Sequence, residues 1–455
     1  MHRRIGFALM LSIAAALPAH ADKPAALPDG LWRSRGYGIV LEVRGPNVRA
    51  WDVTPVSCIE RADTALAFKS PESVALSPGG RTFSVQTRDF ITNFTYDRLD
   101  ALPRPCSEAA QADANDPVRN FEVLWHAFKQ DYAFFRERGV DWDRQYAVFR
   151  PMVRPDMSQE ELFEVLDAML ASLDDRHVRL FGPDGRMGNS GWGSVLQPIA
   201  DAFAAQSSVR DFGKFWRSRL WPYHEATVRK YLGANARNYG PNVVAGRAAQ
   251  DIGYLFIASM YGYAEGDTAT NRAAAVAALN GAFEYLKGAR GLIVDLRLNT
   301  GGDDAIALEI AGRLTQVPRP AFTKRARNGD GLTEPQRFTV TPSAEHGFSG
   351  PVVVLISNVT TSAAENLAMI LKTFPHVVLV GERTASVHSD VLPKRLPNGW
   401  TVTISNEIFE NSDGIVYEGI GVPPSIEAPY FTPAALAGTL DQGMETALKL
   451  LRPQK

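Results

Sequence analysis

The chain has 455 residues, 45% of them hydrophobic and 22% charged, with a formal net charge of −2. These proportions exclude a disordered chain and leave room for two or three domains with a sizeable core. The 48 basic and 50 acidic residues form no basic cluster of the kind a nucleic-acid surface needs, so nucleic-acid binding is discounted.

At the amino terminus, Arg3 and Arg4, an apolar run from Ile5 to Leu17, and Ala19-His20-Ala21 predict a secretory signal over residues 1–21, cleaved after Ala21. The run is too short for a stable membrane anchor, and no later apolar stretch is long enough to cross a bilayer, so a periplasmic or secreted mature chain is expected. Cys58 and Cys106 are the only cysteines, and in an exported chain they are expected to pair. With two cysteines and 8 scattered histidines, no metal-ligand spacing stands out, and neither a metal nor another cofactor is implied.

Residues 22–110 alternate short β-rich runs, Tyr37 to Val43, Val48 to Val53, Thr82 to Gln86 and Phe90 to Tyr96, with glycine, proline and asparagine turns, which predicts a small antiparallel β domain. A helical subdomain follows over 116–190. Asp116-Pro117 offers an N-cap and a first-turn proline, and Phe121, Leu124, Trp125, Phe128 and Tyr132 share one helical face. Ser158-x-x-Glu161 is a capping box for a second helix, which runs into Asp174-Asp175-Arg176-His177 and an extended segment. Residues 182–194 are glycine-rich, and a helical or looped connection follows over 191–250, in which 211–237 look helical.

The α/β pattern begins at 251 and continues to 455. Ile252 to Ile257 predicts a strand, Thr270 to Lys287 a helix and Gly291 to Leu298 a buried strand. Asn299-Thr300-Gly301-Gly302 then leads into a helix from Asp304 to Leu314. The whole chain is organised around Pro351 to Phe374. Five apolar residues, Val352 to Ile356, form a strand buried on both faces, and Ala364, Leu367, Ala368 and Leu371 recur at helical spacing, with Ser362 at the joint. A hydroxyl there faces a helix N-terminus at the carboxyl end of a strand, where α/β folds place chemistry. Ser362-x-x-Glu365 is equally a capping box, a purely stabilising use of the same residues. Val377 to Val380 is a further strand, and Leu396 to Trp400 a hairpin turn into Thr401 to Ile404.

Four motifs occur in order: Asp295-Leu-Arg-Leu-Asn-Thr-Gly-Gly302, Thr360-Thr-Ser-Ala-Ala-Glu365, Gly381-Glu-Arg-Thr384 and Tyr417-Glu-Gly-Ile-Gly-Val-Pro-Pro424. This set resembles the C-terminal processing (tail-specific) serine peptidases, a family that includes the tricorn core and interphotoreceptor retinoid-binding protein. The resemblance implies a crotonase-like (ClpP/crotonase) ββα catalytic core in an α/β fold, with the helical subdomain closing a cleft. It also implies an exported serine peptidase acting on peptide or protein through an acyl-enzyme. Ser362 matches the nucleophile, and the amides of Gly301 or Gly302 and of Ala363 match the oxyanion hole. Lysine-dependent relatives take their base from the segment matching Gly381 to Asp390, which holds no lysine here. The resemblance to the tricorn-like branch therefore makes His177 the general base and Glu418 part of the polar network, with His388 as the fallback base. No counterpart of the peptide-positioning PDZ domain is visible between His177 and Asp251, and Pro424-Ser425 stands where the family has Pro-Asp. A non-catalytic binder of an apolar ligand or peptide on the same fold is the alternative. Substrate preference and oligomeric state are not legible.

Overall fold

The computed structural model describes residues 26–61, 71–108, 113–188, 218, 220–249, 251–343, 346–431 and 440–452. The signal sequence expected over 1–21, part of the glycine-rich stretch after 182 and the first part of the helix expected over 211–237 lie outside the described residues. Among those described, no helix is long and apolar enough to cross a membrane.

The amino-terminal segment forms a seven-stranded antiparallel sheet in the order Ser57–Glu60, Asn47–Thr54, Ile39–Arg44, Gly30–Ser34, Asn93–Leu99, Thr82–Thr87, Pro71–Leu76. Its interior holds Trp32, Leu41, Val43, Phe83, Val85 and Tyr96, mostly alternate residues, as a sheet with one buried face requires. Four strands are visible in the sequence pattern. Gly30–Ser34, Ser57–Glu60 and Pro71–Leu76 are not, because they are short and the last leaves most of its side chains in solvent. Cys58 and Cys106 are bonded, with Cα atoms 4.8 Å apart, tying a strand to the short helix Arg104–Glu108. The bond spans 48 residues, so its reduction is expected to cost this sheet about 4 kcal/mol. Calorimetry with and without reductant checks this: an early transition should appear on reduction, and an unchanged melting profile would contradict it.

Two capped helices follow. Asp116 Oδ1 accepts from the Val118 amide at 2.9 Å to start Pro117–Asp131. Ser158 and Glu161 close a full capping box on Gln159–Ala171. Their apolar faces, with Phe121, Leu124, Phe128, Leu162 and Leu166, pack against Leu392, Trp400, Val402 and Ile404 of the hairpin Val391–Arg395 and Thr401–Ser405. The strand Leu180–Phe181 adds to that hairpin beside Thr401 and Val402. Residues 174–179 are thereby held between a helix end and a sheet.

The α/β half is built on a second seven-stranded sheet, in the order Ile426–Glu427, Val377–Gly381, Val352–Ile356, Gly291–Asp295, Ile252–Ile257, Val243–Ala249, Arg237–Asn238. The first five strands run parallel and the last two antiparallel. Helices Thr268–Leu286, Asp304–Gly312 and Ala363–Lys372 cover one face, and Trp221–Leu232 and Gln442–Leu451 the other. Burial on both faces is why the central strands are continuous apolar runs. A four-stranded sheet of Gly331–Leu332, Arg319–Asn328, Gln336–Val340 and Glu407–Asn411 was not foreseen, since lysine and arginine interrupt its alternation. The charges of the first motif are structural. Arg297 bonds Asp295 at 2.6 Å and Asp441 at 2.7 Å and lies 3.8 Å over the Tyr430 ring, fastening the last helix under the sheet.

Candidate active site

The strand Val352–Ile356 ends at a turn that is hydrogen-bonded to the neighbouring Gly291–Asp295 strand and its continuation. Ser357 Oγ donates to the Arg297 carbonyl at 2.6 Å, Thr360 Oγ1 to the Leu296 carbonyl at 2.9 Å, and the Thr361 amide to the Asn299 carbonyl at 3.1 Å. Ser362 follows with φ 58° and ψ −130°, a conformation that costs an L-residue on the order of 1–3 kcal/mol. Its amide is held by the Val387 carbonyl at 3.0 Å and by Glu365 Oε2 at 3.3 Å. Ser362 and Glu365 are arranged as a capping box on the helix that follows, with the glutamate half closed at 3.3 Å and no close hydrogen bond to the Ser362 hydroxyl itself. Fully buried Glu365 also accepts from Thr384 Oγ1 at 2.5 Å and from the Ser386 and Val387 amides at 2.8 and 2.9 Å, clamping that segment against the serine.

Gly301 and Gly302 have φ of 89° and 137°. A Cβ on Gly301 would lie 2.7 Å from Ser362 Cβ and 3.0 Å from the Ala363 nitrogen, and one on Gly302 would strike the Met260 carbonyl at 2.5 Å. Only glycine lets this turn lie against the serine. The Gly301 amide is not available as an oxyanion donor, because it donates to Asn299 Oδ1 at 2.8 Å. The amides of Gly302 and Ala363 donate to no described residue. Asn299, two positions before Gly301, is the signal: an Asx turn consumes the second amide after it.

His177 sits on the tight bend after Gln159–Ala171. Its amide donates to Asp175 Oδ1 at 2.9 Å, and Thr403 Oγ1 donates to its carbonyl at 2.6 Å. Burial holds its imidazole pKa below the ordinary value, against the pull of Asp175, Glu365 and Asp390 and with help from Arg176. Its Nδ1 is buried with no hydrogen-bond partner. No hydrogen bond joins His177 to Ser362. The expected direct contact is replaced by one between their chain neighbours, Arg176 Nη1 donating to Thr361 Oγ1 at 3.1 Å. Arg176, which sequence reasoning passed over, is thus the closest link between the two segments among the hydrogen bonds.

His388, the fallback base, is 1% exposed and sits behind the serine. Its Nδ1 lies 2.9 Å from Asn366 Oδ1 and its Nε2 3.4 Å from Glu365 Oε1. Glu418 meets neither His177 nor Ser362. It accepts from the amides of His388 and Ser389 at 2.6 and 3.2 Å and from Arg138 Nη2 at 2.5 Å. Arg138 also donates to the carbonyls of Asp174 and Ser386, so one guanidinium joins the His177 bend to the segment behind Ser362. The pair is buried, with side-chain exposures of 5% and 1%. Arg138→Met should therefore cost about 3 kcal/mol in urea unfolding, most of it from stranding Glu418. A loss under about 1 kcal/mol would show that the pair bears little load.

Two cavities adjoin this region. The larger, of about 580 Å³, is walled by Tyr37, Phe90, Phe94, Asp390, Leu392 and Glu407, between the amino-terminal sheet and the hairpin. The smaller, of about 390 Å³, shares Phe90, Asp390 and Val391 with it and reaches the site at Gly302. Neither is lined by Ser362 itself.

Residues 251–428 match the model of peptidase family S41, and 113–171 match the tricorn protease C1 domain. The carboxy-terminal processing protease CtpA of Bacillus subtilis is 28% identical over 142 residues, 31% of this chain and 29% of that protein. The carboxyl-terminal-processing protease of Synechocystis is 28% identical over 167 residues, 36% of this chain and 38% of its own length. The similarity thus spans less than half of these curated relatives. Among solved structures, a candidate peptidase from Parabacteroides merdae superposes with a TM-score of 0.59 at 25% identity, over 74% of this chain and 96% of that one. Mature CPAF in complex with lactacystin gives 0.53 at 14% identity, over 74% and 98%, a likeness of fold alone. Both halves that frame Ser362, the helical segment carrying His177's approach and the α/β half carrying the serine, are thus matched in order, and the α/β half over residues 251–428 is a peptidase family S41 domain, similar to the C-terminal processing proteases.

Proposed function

We propose that this chain is an exported serine peptidase that hydrolyses peptide bonds through an acyl-enzyme, on a crotonase-like ββα core (251–455) closed by the helical subdomain (116–190). The observation that carries the reading is the strained backbone of Ser362, beside the glycine turn whose Gly302 amide, like that of Ala363, donates to no described residue. Backbone strain of this kind persists where the surroundings over-determine it, as at active sites.

In this mechanism Ser362 Oγ attacks the scissile carbonyl carbon while His177 takes its proton. The carbonyl oxygen becomes an oxyanion held by the Gly302 and Ala363 N–H groups, each contributing roughly 3 kcal/mol to the transition state. The tetrahedral intermediate collapses, the C–N bond breaks, and the His177 imidazolium returns the proton to the leaving amine. Water then attacks the Ser362 ester with the same base, releasing the acid and restoring the serine. Burial suits His177 to this role, because it keeps the ring neutral and able to accept. The ring has to close on Ser362 when substrate binds, as catalytic hydrogen bonds often do. His388 is a poorer base, because its Nδ1 is engaged by Asn366 and its Nε2 lies toward Glu365 rather than Ser362. Glu418 acts through Arg138 as a positioning residue.

The experiment is a digest of a mixed peptide library, with new termini mapped by mass spectrometry. Cleavage at internal or terminal peptide bonds by folded wild-type protein is expected. A folded protein that cleaves none of them overturns the reading. For export, the mature protein recovered from the producing cells should begin at Asp22.

A further inference from the structure

We propose that the cavity beside Gly302 takes a basic side chain, lysine or arginine, from the residue that supplies the scissile carbonyl. This rests on the peptidase reading above. A carbonyl oxygen seated on the Gly302 amide leaves its own residue's side chain one carbon away, at the mouth of the cavity that Gly302 lines.

Five aspartates line that cavity, Asp89, Asp267, Asp303, Asp304 and Asp390, and no lysine, arginine or histidine does so among the described residues. Most of this charge has an internal use. Asp303 is held by Arg272 at 2.5 Å, Asp390 by Lys324 at 2.5 Å, and Asp267 caps a helix through the Thr270 amide at 2.9 Å. Asp304 differs. It is 6% exposed, and its Oδ1 accepts from Asn366 Nδ2 at 3.0 Å, but its Oδ2 is buried without any hydrogen-bond partner. A buried carboxylate oxygen left without a donor is costly. Nor is the deficit met from behind. Lys324, the buried cation that acts on Asp304, already bonds Asp390 and lies 3.0 Å from Glu407, so one ammonium serves a group of three carboxyls. Burial and the nearby Asp390 push Asp304 up to about 7, the behaviour of a carboxyl short of a cation. An entering ammonium or guanidinium supplies the missing donor and charge. Among the described residues no group of acids and histidines is arranged to hold a metal ion there.

The test is a set of peptides differing at one position, with lysine, arginine, norleucine or glutamate before the scissile bond. The wild type should favour lysine over norleucine in kcat/KM by roughly 10–100-fold, the range for a charge-assisted contact that the neutral isostere lacks. Asp304→Asn should reduce that ratio at least about tenfold. A second measurement needs neither turnover nor a change at Asp304: calorimetric binding of peptide amides ending in lysine or norleucine to Ser362→Ala, where lysine should bind about tenfold tighter. Hydrolysis without preference, and equal binding of the two amides, would overturn the pocket and leave the peptidase reading intact. Tighter binding of the lysine amide in a protein that cleaves no peptide would overturn the peptidase reading, and with it the placing of this side chain at a scissile bond.

Discussion

Ser362→Gly should abolish peptide hydrolysis and yield a protein more stable than the wild type. The two effects have different origins. Loss of the attacking oxygen removes acyl-enzyme formation, and nucleophile deletions in enzymes of this chemistry cost about 10⁴-fold or more in kcat/KM. The stability gain comes from the backbone. At φ 58° and ψ −130° a serine is strained and a glycine is not, so after glycine's own entropy cost a net gain of about 1 kcal/mol remains. A helix cap would behave in the opposite way, with hydrolysis intact and a few tenths of a kcal/mol lost. Thermal unfolding and kcat/KM measured on one preparation of each protein separate these outcomes.

His177→Gln should lower kcat/KM by about 10³-fold, within the range for removal of a general base, and should remove the acidic limb of the wild-type pH profile. The base must be neutral to accept the Ser362 proton, so activity falls as the pH drops through its folded pKa. Burial depresses that pKa below the ordinary 6.5, and the limb should therefore lie on the acid side of that value. His388→Gln should leave the position of this limb unchanged, because the His388 ring bonds Asn366 rather than the serine. Disappearance of the limb in His388→Gln and its survival in His177→Gln would exchange the two assignments.

The strand, turn and helix around Ser362 were legible because each follows from local pattern: an apolar run buried on both faces, a polar break, then a 3.6-residue repeat. The capped helices Pro117–Asp131 and Gln159–Ala171 were legible for the same reason, through Asp116, Pro117, Ser158 and Glu161. What stayed hidden are contacts between distant segments. Glu365 could be seen as a capping residue, but not as the acceptor for Thr384, Ser386 and Val387. Arg138 sits in an unremarkable helical subdomain and reveals its part only where Glu418, Asp174 and Ser386 converge on it. Asp304 looked like the first residue of a helix, and its unpartnered oxygen exists only because the fold closes a cavity around it. That the Gly301 amide is engaged has a local reason, since the asparagine two residues earlier accepts from it.

The most direct measurement is active-site labelling of the wild type with a fluorophosphonate, followed by peptide mapping of the adduct. One phosphonyl group on Ser362 is expected, formed much more slowly in His177→Gln and absent from Ser362→Ala. An unlabelled Ser362, together with peptide hydrolysis that persists in Ser362→Ala, would contradict the account.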